Sequence, residues 1–192
     1  PYGNTLGEDY TFTFTAAPPA ALASLNLPRD IAQLTTSFPS TVQVLHRGVT
    51  SLHVALYDIG VNSGLLFDTY RINEENAFNT NAVVYETTIP VENVPDTLGV
   101  VDVPLADGGV LPVGVYVLSV TAPEVDPDTS WWQVRNVILV VADTNLVVKE
   151  MFGEVNVWAT DLATGQPVAG RNLTLYRRSG QEAGTGVTDS NG

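Results

Sequence analysis

Valine and leucine recur at every second position in parts of residues 145–192, as at Val155 and Val157 and again at Leu173 and Leu175. This alternation points successive side chains to a core and to solvent, which is typical of half-buried β-strands. Turn-forming pairs separate the apolar runs at 164–165, 179–180 and 191–192. Such pairs mark reversals of the chain. The pattern predicts a β-sandwich and carries no catalytic signature.

A second unit is predicted upstream of this region, and its strand signals are of two kinds. Apolar residues alternate with polar ones over 41–44 and 52–57. Residues 113–121 and 133–142 instead carry strand-favouring residues at both odd and even positions, which places them on both faces of a strand. A strand that is apolar on both faces is expected to lie between two layers. Residues 113–121 and 133–142 are therefore predicted to hold the core of this unit.

The stretch between these strand pairs is mostly polar. It contains few strong strand signals beyond Val83, Val84 and Tyr85. Residues 65–79 could form a short helix, bracketed by asparagine and glycine.

The N-terminal segment alternates aromatic and threonine side chains over residues 9–16, with Tyr10, Phe12 and Phe14 on one face. This is the form of a half-buried strand. A lone strand cannot be a domain, and a Pro-Pro pair that cannot donate to a sheet ladder follows it. We therefore expect residues 1–17 to be separated by a linker from the next unit.

Composition narrows the classes of partner. The chain has 192 residues, of which 44% are hydrophobic and 15% charged, as in a folded protein. Its net charge of −13 includes 8 basic residues. We expect no binding to nucleic acid, because phosphate contacts depend on clustered Lys and Arg.

The chain has no cysteine, which excludes disulfides, thiolate metal sites and a thioester within it. Its longest apolar run, 137–142, has six residues. A membrane-spanning helix needs about 20, so we expect no membrane insertion by this segment. No cofactor is predicted.

The last part of the chain carries a series of short phrases at positions 145–146, 149, 157–162, 164–165, 167–168, 175–176, 186 and 188–189. In this order they resemble the phrases NL, K, VWVTDL, TG, PV, LY, G and TD that are often found in the macroglobulin domains of bacterial alpha-macroglobulins.

The resemblance extends over nearly the whole chain. Residues 111–120 and 137–141 are similar to the same family, and Gly114 and Tyr116 match its Gly-x-Tyr form. Residues 1–17 resemble the closing strand of the bacterial immunoglobulin-like domains that often precede macroglobulin domains. The family's Cys-x-Glu-Gln thioester motif and bait segment have no counterpart in this sequence.

The resemblance implies an all-β protein of antiparallel, immunoglobulin- or fibronectin-III-like sandwiches in tandem. Residues 1–17 would be the tail of a preceding domain, 18–143 one macroglobulin-like sandwich, and 144–192 the first strands of a second, truncated one. A truncated sandwich exposes a sheet edge, so we expect disorder, strand exchange or association there.

The function that the resemblance implies is structural. The parent would be an extracytoplasmic, broad-spectrum inhibitor that traps proteases after cleavage of a bait segment, and this segment would be non-enzymatic scaffold. Its partners would be neighbouring domains, and proteases through the full-length protein. The alternative is an adhesion or carbohydrate-binding module of a surface protein, because fold alone does not decide function.

Two histidines are present, His46 and His53, separated by seven positions. On extended backbone an odd spacing tends to place them on opposite faces, although Gly48 between them could mark a turn. A zinc site wants three or four convergent ligands. We therefore expect structural histidines and no shared metal site.

An acidic loop offers a weak calcium candidate at Glu124, Asp126 and Asp128. Calcium favours six to eight oxygen ligands, and three alternate carboxylates could supply some of them. The loop lacks the glycine and later glutamate of an EF-hand. A solvated loop is the main expectation.

Trp131 and Trp132 are adjacent, so on a strand one would face inward and the other outward. An outward tryptophan could dock onto a neighbouring domain or stack on a sugar. A sugar platform usually needs further polar and aromatic groups. We therefore interpret the pair as interface candidates.

The usual catalytic patterns are missing from the sequence. No GxSxG elbow occurs, and the glycine-rich runs at 107–109 and 184–186 lack the lysine and helix of a phosphate cradle. Those runs are predicted to be hairpin turns. An enzyme is the least favoured class.

Overall fold

The computed structural model describes residues 7, 9–74, 77–94, 96–107, 109–126, 128 and 132–192. Within these residues the chain forms twelve β-strands and two short 3-10 helices. The strands are β1 (Leu22–Leu25), β2 (Ile31–Thr35), β3 (Thr41–Arg47), β4 (Ser51–Asp58), β5 (Val83–Pro90), β6 (Gly99–Pro104), β7 (Gly114–Thr121), β8 (Asn136–Ala142), β9 (Thr144–Met151), β10 (Glu154–Asp161), β11 (Asn172–Tyr176) and β12 (Glu182–Val187). The prediction of an all-β chain is confirmed.

The first eight strands make two sheets. One has three strands in the order β1-β3-β6, and the other has five in the order β2-β8-β7-β4-β5. All pairs are antiparallel except β2 with β8, which is parallel. The antiparallel sandwich that the resemblance implied is confirmed as the dominant arrangement, and this parallel pair departs from it. Parallel strands need a long crossover, and here the five strands β3 to β7 separate the two in sequence.

The core of this unit lies where the predicted buried strands meet. Leu118 on β7 is paired with Leu56 on β4 and with Val137 on β8, and none of the three side chains is exposed. Both faces of β7 and β8 are largely buried. The prediction that 113–121 and 133–142 hold the core is confirmed.

The predicted helix over 65–79 is replaced by two 3-10 helices, Gly64–Leu66 and Thr69–Asn73. Buried Leu65 and Ile72 hold these turns onto the outer face of the five-stranded sheet, where they pack with Val117 and Ile138. The two turns are three and five residues long, as is usual for 3-10 helices, whereas a continuous α-helix forms cooperatively and needs a longer helical segment.

The prediction of a half-buried strand over 9–16 is wrong within this chain. These residues pair with no strand in the described structure, and Tyr10, Phe12 and Phe14 are 79%, 69% and 77% exposed. The alternation itself is present, because the successive ring centroids are 6.2 Å apart on one side. The segment therefore has the side-chain pattern of a strand without strand pairing among the described residues.

The last four strands form two separate hairpins, β9 with β10 and β11 with β12. The predicted turns are confirmed by Gly165, Gly180 and Gly192, which have positive φ angles of 70°, 80° and 85°. The predicted turn at 184–186 is wrong, because these residues lie inside β12. Small glycines there leave room on the strand instead of reversing it.

Among the described residues, no helix is long and apolar enough to span a membrane.

Candidate domain interface

The second hairpin touches the 3-10 segment of the first unit through an aromatic pair. The rings of Phe67 and Tyr176 lie edge to face, with centroids 5.8 Å apart and planes at 62°. Gly180, in the turn after β11, approaches the same phenylalanine, since an added Cβ there would lie 3.6 Å from Phe67 Cε2. Edge-to-face packing is a favoured aromatic geometry.

Phe67 is held in place by its own loop. Ser63 accepts a hydrogen bond at Oγ from the backbone N–H of Leu65 (3.3 Å), which caps the first 3-10 helix. Phe67 donates its backbone N–H to the Gly64 carbonyl at 3.1 Å, and Leu65 of the same turn is buried against the sheet. The loop therefore presents a half-buried ring on a fixed backbone.

A second set of contacts surrounds the junction between β8 and β9. The Asp143 carbonyl accepts a hydrogen bond from Leu162 N at 2.8 Å, and its carboxylate lies 3.6 Å from the Arg171 guanidinium. Gln33 Nε2 donates to the Thr144 carbonyl at 3.5 Å. The exposed ion pair contributes about 0–1 kcal/mol, so orientation depends more on the short connection and the aromatic pair.

Residues that carry the family resemblance build turns in this region. Asp161 Oδ1 accepts hydrogen bonds from Thr164 Oγ1 and Thr164 N, both at 2.8 Å, and from Ala163 N at 3.1 Å. The bonds from the Thr164 side chain and backbone lower the pKa of Asp161, because they favour the ionised carboxylate. Gly165 then closes the turn with a positive φ.

The last turn of the chain folds back onto β10. Trp158 Nε1 donates to the Asn191 carbonyl at 2.7 Å, and Ala159 N donates to the Gly192 carbonyl at 2.8 Å. Thr188 is buried and donates its hydroxyl to the Val168 carbonyl at 2.6 Å. The phrases that matched in the sequence are thus structural determinants of the two hairpins.

The Gly-x-Tyr phrase has a similar structural basis at the start of β7. The Tyr116 hydroxyl donates to the Pro112 carbonyl at 3.0 Å. Its ring covers Gly114, where an added Cβ would lie 2.8 Å from the hydroxyl oxygen. Burial, and then the nearby Asp58 charge, raises the pKa of Tyr116, so this hydroxyl stays a hydrogen-bond donor.

The two histidines, which were expected on opposite faces of extended backbone, lie in two different sheets. His46 on β3 is buried and lies against Gly99 of β6. His53 on β4 is half-buried, with Nδ1 3.4 Å from Thr88 Oγ1. Gly48 between them has a φ of 65°, as expected for a turn.

The acidic loop is spread out and exposed. Glu124 Oε1 accepts hydrogen bonds from Thr50 Oγ1 at 2.6 Å and Thr50 N at 3.1 Å, and the hydroxyl bond is the main cause that lowers its pKa. Asp126 instead accepts from the Asp128 backbone at 2.9 Å. Within the described part of the chain, no three His, Asp or Glu side chains are grouped to hold a metal ion.

The structure describes only one of the two predicted interface residues, Trp131 and Trp132. Trp131 lies outside the described residues. Trp132 lies in a turn and not on a strand, is exposed, and accepts a hydrogen bond at its carbonyl from Arg29. The contact observed between the two units uses Phe67 and Tyr176, which the sequence interpretation did not single out.

The aromatic pair gives a direct prediction. Tyr176→Ala and Phe67→Ala together should show a coupling free energy of about 0.5–1.5 kcal/mol, because each substitution removes the same edge-to-face contact. A double-mutant cycle on urea unfolding measures it. The matched control pairs Tyr176→Ala with Tyr70→Ala, an exposed tyrosine of the same loop, and should show no coupling. Equal coupling in both cycles would contradict the contact.

Comparisons with known proteins agree with this architecture. A crystal structure of native alpha-2-macroglobulin from Escherichia coli spanning domains MG0-NIE-MG1 matches 97% of this chain and 60% of its own, at TM-score 0.69 and 16% identity. A crystal structure spanning NIE-MG1 of the same protein matches 88% of this chain and 84% of its own, at TM-score 0.67 and 15% identity.

Larger structures match in the same way. The Salmonella alpha-2-macroglobulin reacted with methylamine matches 96% of this chain and 11% of its own, at TM-score 0.61 and 16% identity. The chain thus spans about 60% of the first of these structures and a small part of the whole molecule. No family model matches the sequence, and no curated protein sequence matches it.

The fold defines a class: an all-β chain, mostly antiparallel, whose architecture is similar to that of solved macroglobulin structures. Within that class, solved structures of bacterial alpha-2-macroglobulins share this fold over most of the chain. The resemblance proposed from the sequence is confirmed in the fold.

Proposed function

We propose that this chain is a structural segment of a bacterial alpha-macroglobulin, an extracytoplasmic inhibitor that traps proteases after cleavage of a bait segment. The observation that carries the proposal is the match to alpha-2-macroglobulin structures over nearly the whole chain. The segment supplies scaffold to the trap and has no catalytic activity of its own.

The distribution of polar groups supports a scaffold role. The two histidines lie in separate sheets, and the acidic loop directs Glu124 to Thr50. The polar side chains that do converge, Asp161 and Thr188 among them, satisfy backbone groups in turns. Such contacts stabilise the turns in which these side chains lie.

The proposed domain division keeps residues 18–143 as one sandwich and 144–192 as the first strands of another. Residues 1–17 belong to a preceding domain. Coverage of this chain rises from 88% to 97% when the compared structure also includes the domain named MG0. Both compared structures span more than one named domain, which supports a division of this chain into parts of several domains.

The alternative function, an adhesion or carbohydrate-binding module, draws on exposed aromatic rings. Trp158 is 52% exposed, but its indole N–H is already bonded to the Asn191 carbonyl. A sugar platform usually adds several polar groups that converge on the ligand. The alternative is therefore the weaker proposal.

The test is a trapping assay on the full-length parent. We expect trypsin treated with the parent to keep its activity toward a small chromogenic peptide and to lose it toward a large protein substrate, because a trapped protease is shielded by size. The 192-residue chain alone serves as the control and should change neither activity. Equal effects on both substrates would contradict trapping and favour the adhesion module.

A further inference from the structure

A small polar pocket lies beside the second 3-10 helix. It has a volume of about 140 Å³ and is lined by residues that precede β2, by the helix Thr69–Asn73 and by residues 133–136. Asn136 Nδ2 donates to Asn73 Oδ1 at 2.8 Å, and both side chains belong to the lining. The described lining residues all lie between positions 29 and 136, so the pocket is formed within the unit 18–143.

The pocket gathers positive charge in an acidic part of the chain. Residues 18–143 contain four arginines and no lysine, against 14 aspartates and glutamates. Two of the four arginines, Arg29 and Arg135, line this one pocket, and Asp30 is the acidic residue among its described lining. Concentrated charge of one sign in a concave site attracts ligands of the opposite sign. The pocket is therefore suited to an anion.

Arg135 is available to such a ligand. It is half-buried, and in the part of the chain that the structure describes its guanidinium has no hydrogen bond or ion pair. Arg29, in contrast, donates to the Trp132 carbonyl, and Arg71 on the neighbouring helix is paired with Glu74 at 3.0 Å. A charge that is partly withdrawn from water without a partner costs free energy. An anion beside Arg135 would recover that cost and use its five N–H donors.

The volume of the pocket limits the ligand to a small group. A cavity of about 150 Å³ holds a molecule the size of benzene, so this pocket has room for roughly six non-hydrogen atoms. A carboxylate with its adjoining carbons is within that limit. The planar fork of an arginine also matches a carboxylate, because two parallel N–H groups can donate to its two oxygens.

The rim of the pocket has the composition of a protein interface. Tyr70 is part of the lining and is 78% exposed, and Trp132, whose carbonyl holds Arg29, is 41% exposed. Tyrosine, tryptophan and arginine are the residues most enriched in the energetic centres of interfaces. These rings favour a carboxylate that is carried on a protein segment, since a segment can contact them as well as the arginines.

We propose that this pocket is an anchor site for another protein segment and takes the carboxylate of one aspartate or glutamate side chain. Arg135 makes the main contact, because one donor of Arg29 already serves the Trp132 carbonyl. Tyr70 and Trp132 flank the bound segment. The proposal adds a binding site to the scaffold and does not depend on protease trapping.

The experiment is an NMR titration of the isotope-labelled 192-residue chain with two tripeptides, Leu-Glu-Leu and Leu-Gln-Leu, both acetylated and amidated at their ends. The side-chain Nε–H signal of each arginine reports on its own guanidinium. We expect the glutamate peptide to shift the signals of Arg135 and Arg29 to saturation and the glutamine peptide to shift neither. Acetate, a free carboxylate, should bind more weakly than the glutamate peptide, because it does not reach the aromatic rim.

Three variants locate the binding. Arg135→Gln should weaken binding of the glutamate peptide about tenfold or more, since it removes a charged hydrogen-bonded contact. Arg178→Gln is the matched control: it makes the same change in net charge at an exposed arginine outside the pocket, and binding should be unchanged. Asp30→Asn removes the carboxylate that opposes the ligand and should strengthen binding about two- to fivefold, the effect of one exposed charge.

Three results would overturn the proposal. If the glutamate peptide produces no saturable shift at Arg135, the pocket is not a carboxylate site. If the glutamine peptide binds as tightly, the arginines do not recognise charge. If acetate binds as tightly as the glutamate peptide, the protein segment is the wrong partner and the pocket takes free carboxylates.

Discussion

Leu118→Ala is expected to lower the free energy of unfolding by about 3 kcal/mol, among the largest losses for a single truncation in this chain. Leu118 is fully buried and lies between Leu56 and Val137 on the two neighbouring strands. Removing its branched side chain leaves a cavity that strands fixed by hydrogen bonds on both sides cannot close.

Urea denaturation followed by circular dichroism measures this loss. The control is Val100→Ala on β6, a side chain that is 55% exposed and should cost less than about 1 kcal/mol. Similar losses for both variants would show that Leu118 is not at the centre of the five-stranded sheet.

The strands that sequence predicted best are those with a clear local pattern. Val155 and Val157 alternate on β10, and the buried run 137–141 lies within β8. Gly165 and Gly180 mark turns for a local steric reason, since a positive φ strains any residue with a Cβ. Such features need no knowledge of the rest of the chain.

The pairing of strands was less predictable because it is not local. The parallel pair of β2 with β8 joins Ile31 to Ile138, and neither residue's neighbours in sequence signal the other. The segment 9–16 shows the opposite failure. Its alternation predicted burial, but burial depends on a neighbouring strand, and residues 9–16 pair with none in the part of the chain that the structure describes.

The domain contact was missed for a related reason. Phe67 lies in a polar stretch that was interpreted as a short helix, and Tyr176 ends a strand. Neither position is unusual by itself, and their contact exists because two distant loops meet. The prediction that Trp131 and Trp132 lie at an interface stays a prediction, because Trp131 lies outside the described residues and Trp132 is exposed.

The resemblance was informative because its residues fix the fold. Asp161, Gly165 and Thr188 bond to or shape turns, and Gly114 makes room for the Tyr116 ring. The phrases therefore report on local backbone geometry, which the overall identities of 15–17% to solved structures do not. That is also why the phrases indicate the architecture better than they indicate a binding site.

Gly99→Ala is the second large effect, with an expected loss of about 1–3 kcal/mol in the free energy of unfolding. Gly99 is the β6 partner of His46, and a Cβ added there would overlap the His46 imidazole. The imidazole is buried in the three-stranded sheet, so it cannot move aside without disturbing its surroundings. Thermal and urea unfolding measure the loss.

A double-mutant cycle separates this steric cause from a general effect of replacing glycine. In a His46→Ala background the space beside residue 99 is vacant, so Gly99→Ala should cost almost nothing there. Gly109→Ala is the control, because no atom lies within 4 Å of its added Cβ and its backbone has no positive φ. It should leave stability unchanged or slightly higher through a less flexible unfolded chain. Equal losses from Gly99→Ala with and without His46 would contradict the overlap and place the cost in the β6 backbone itself.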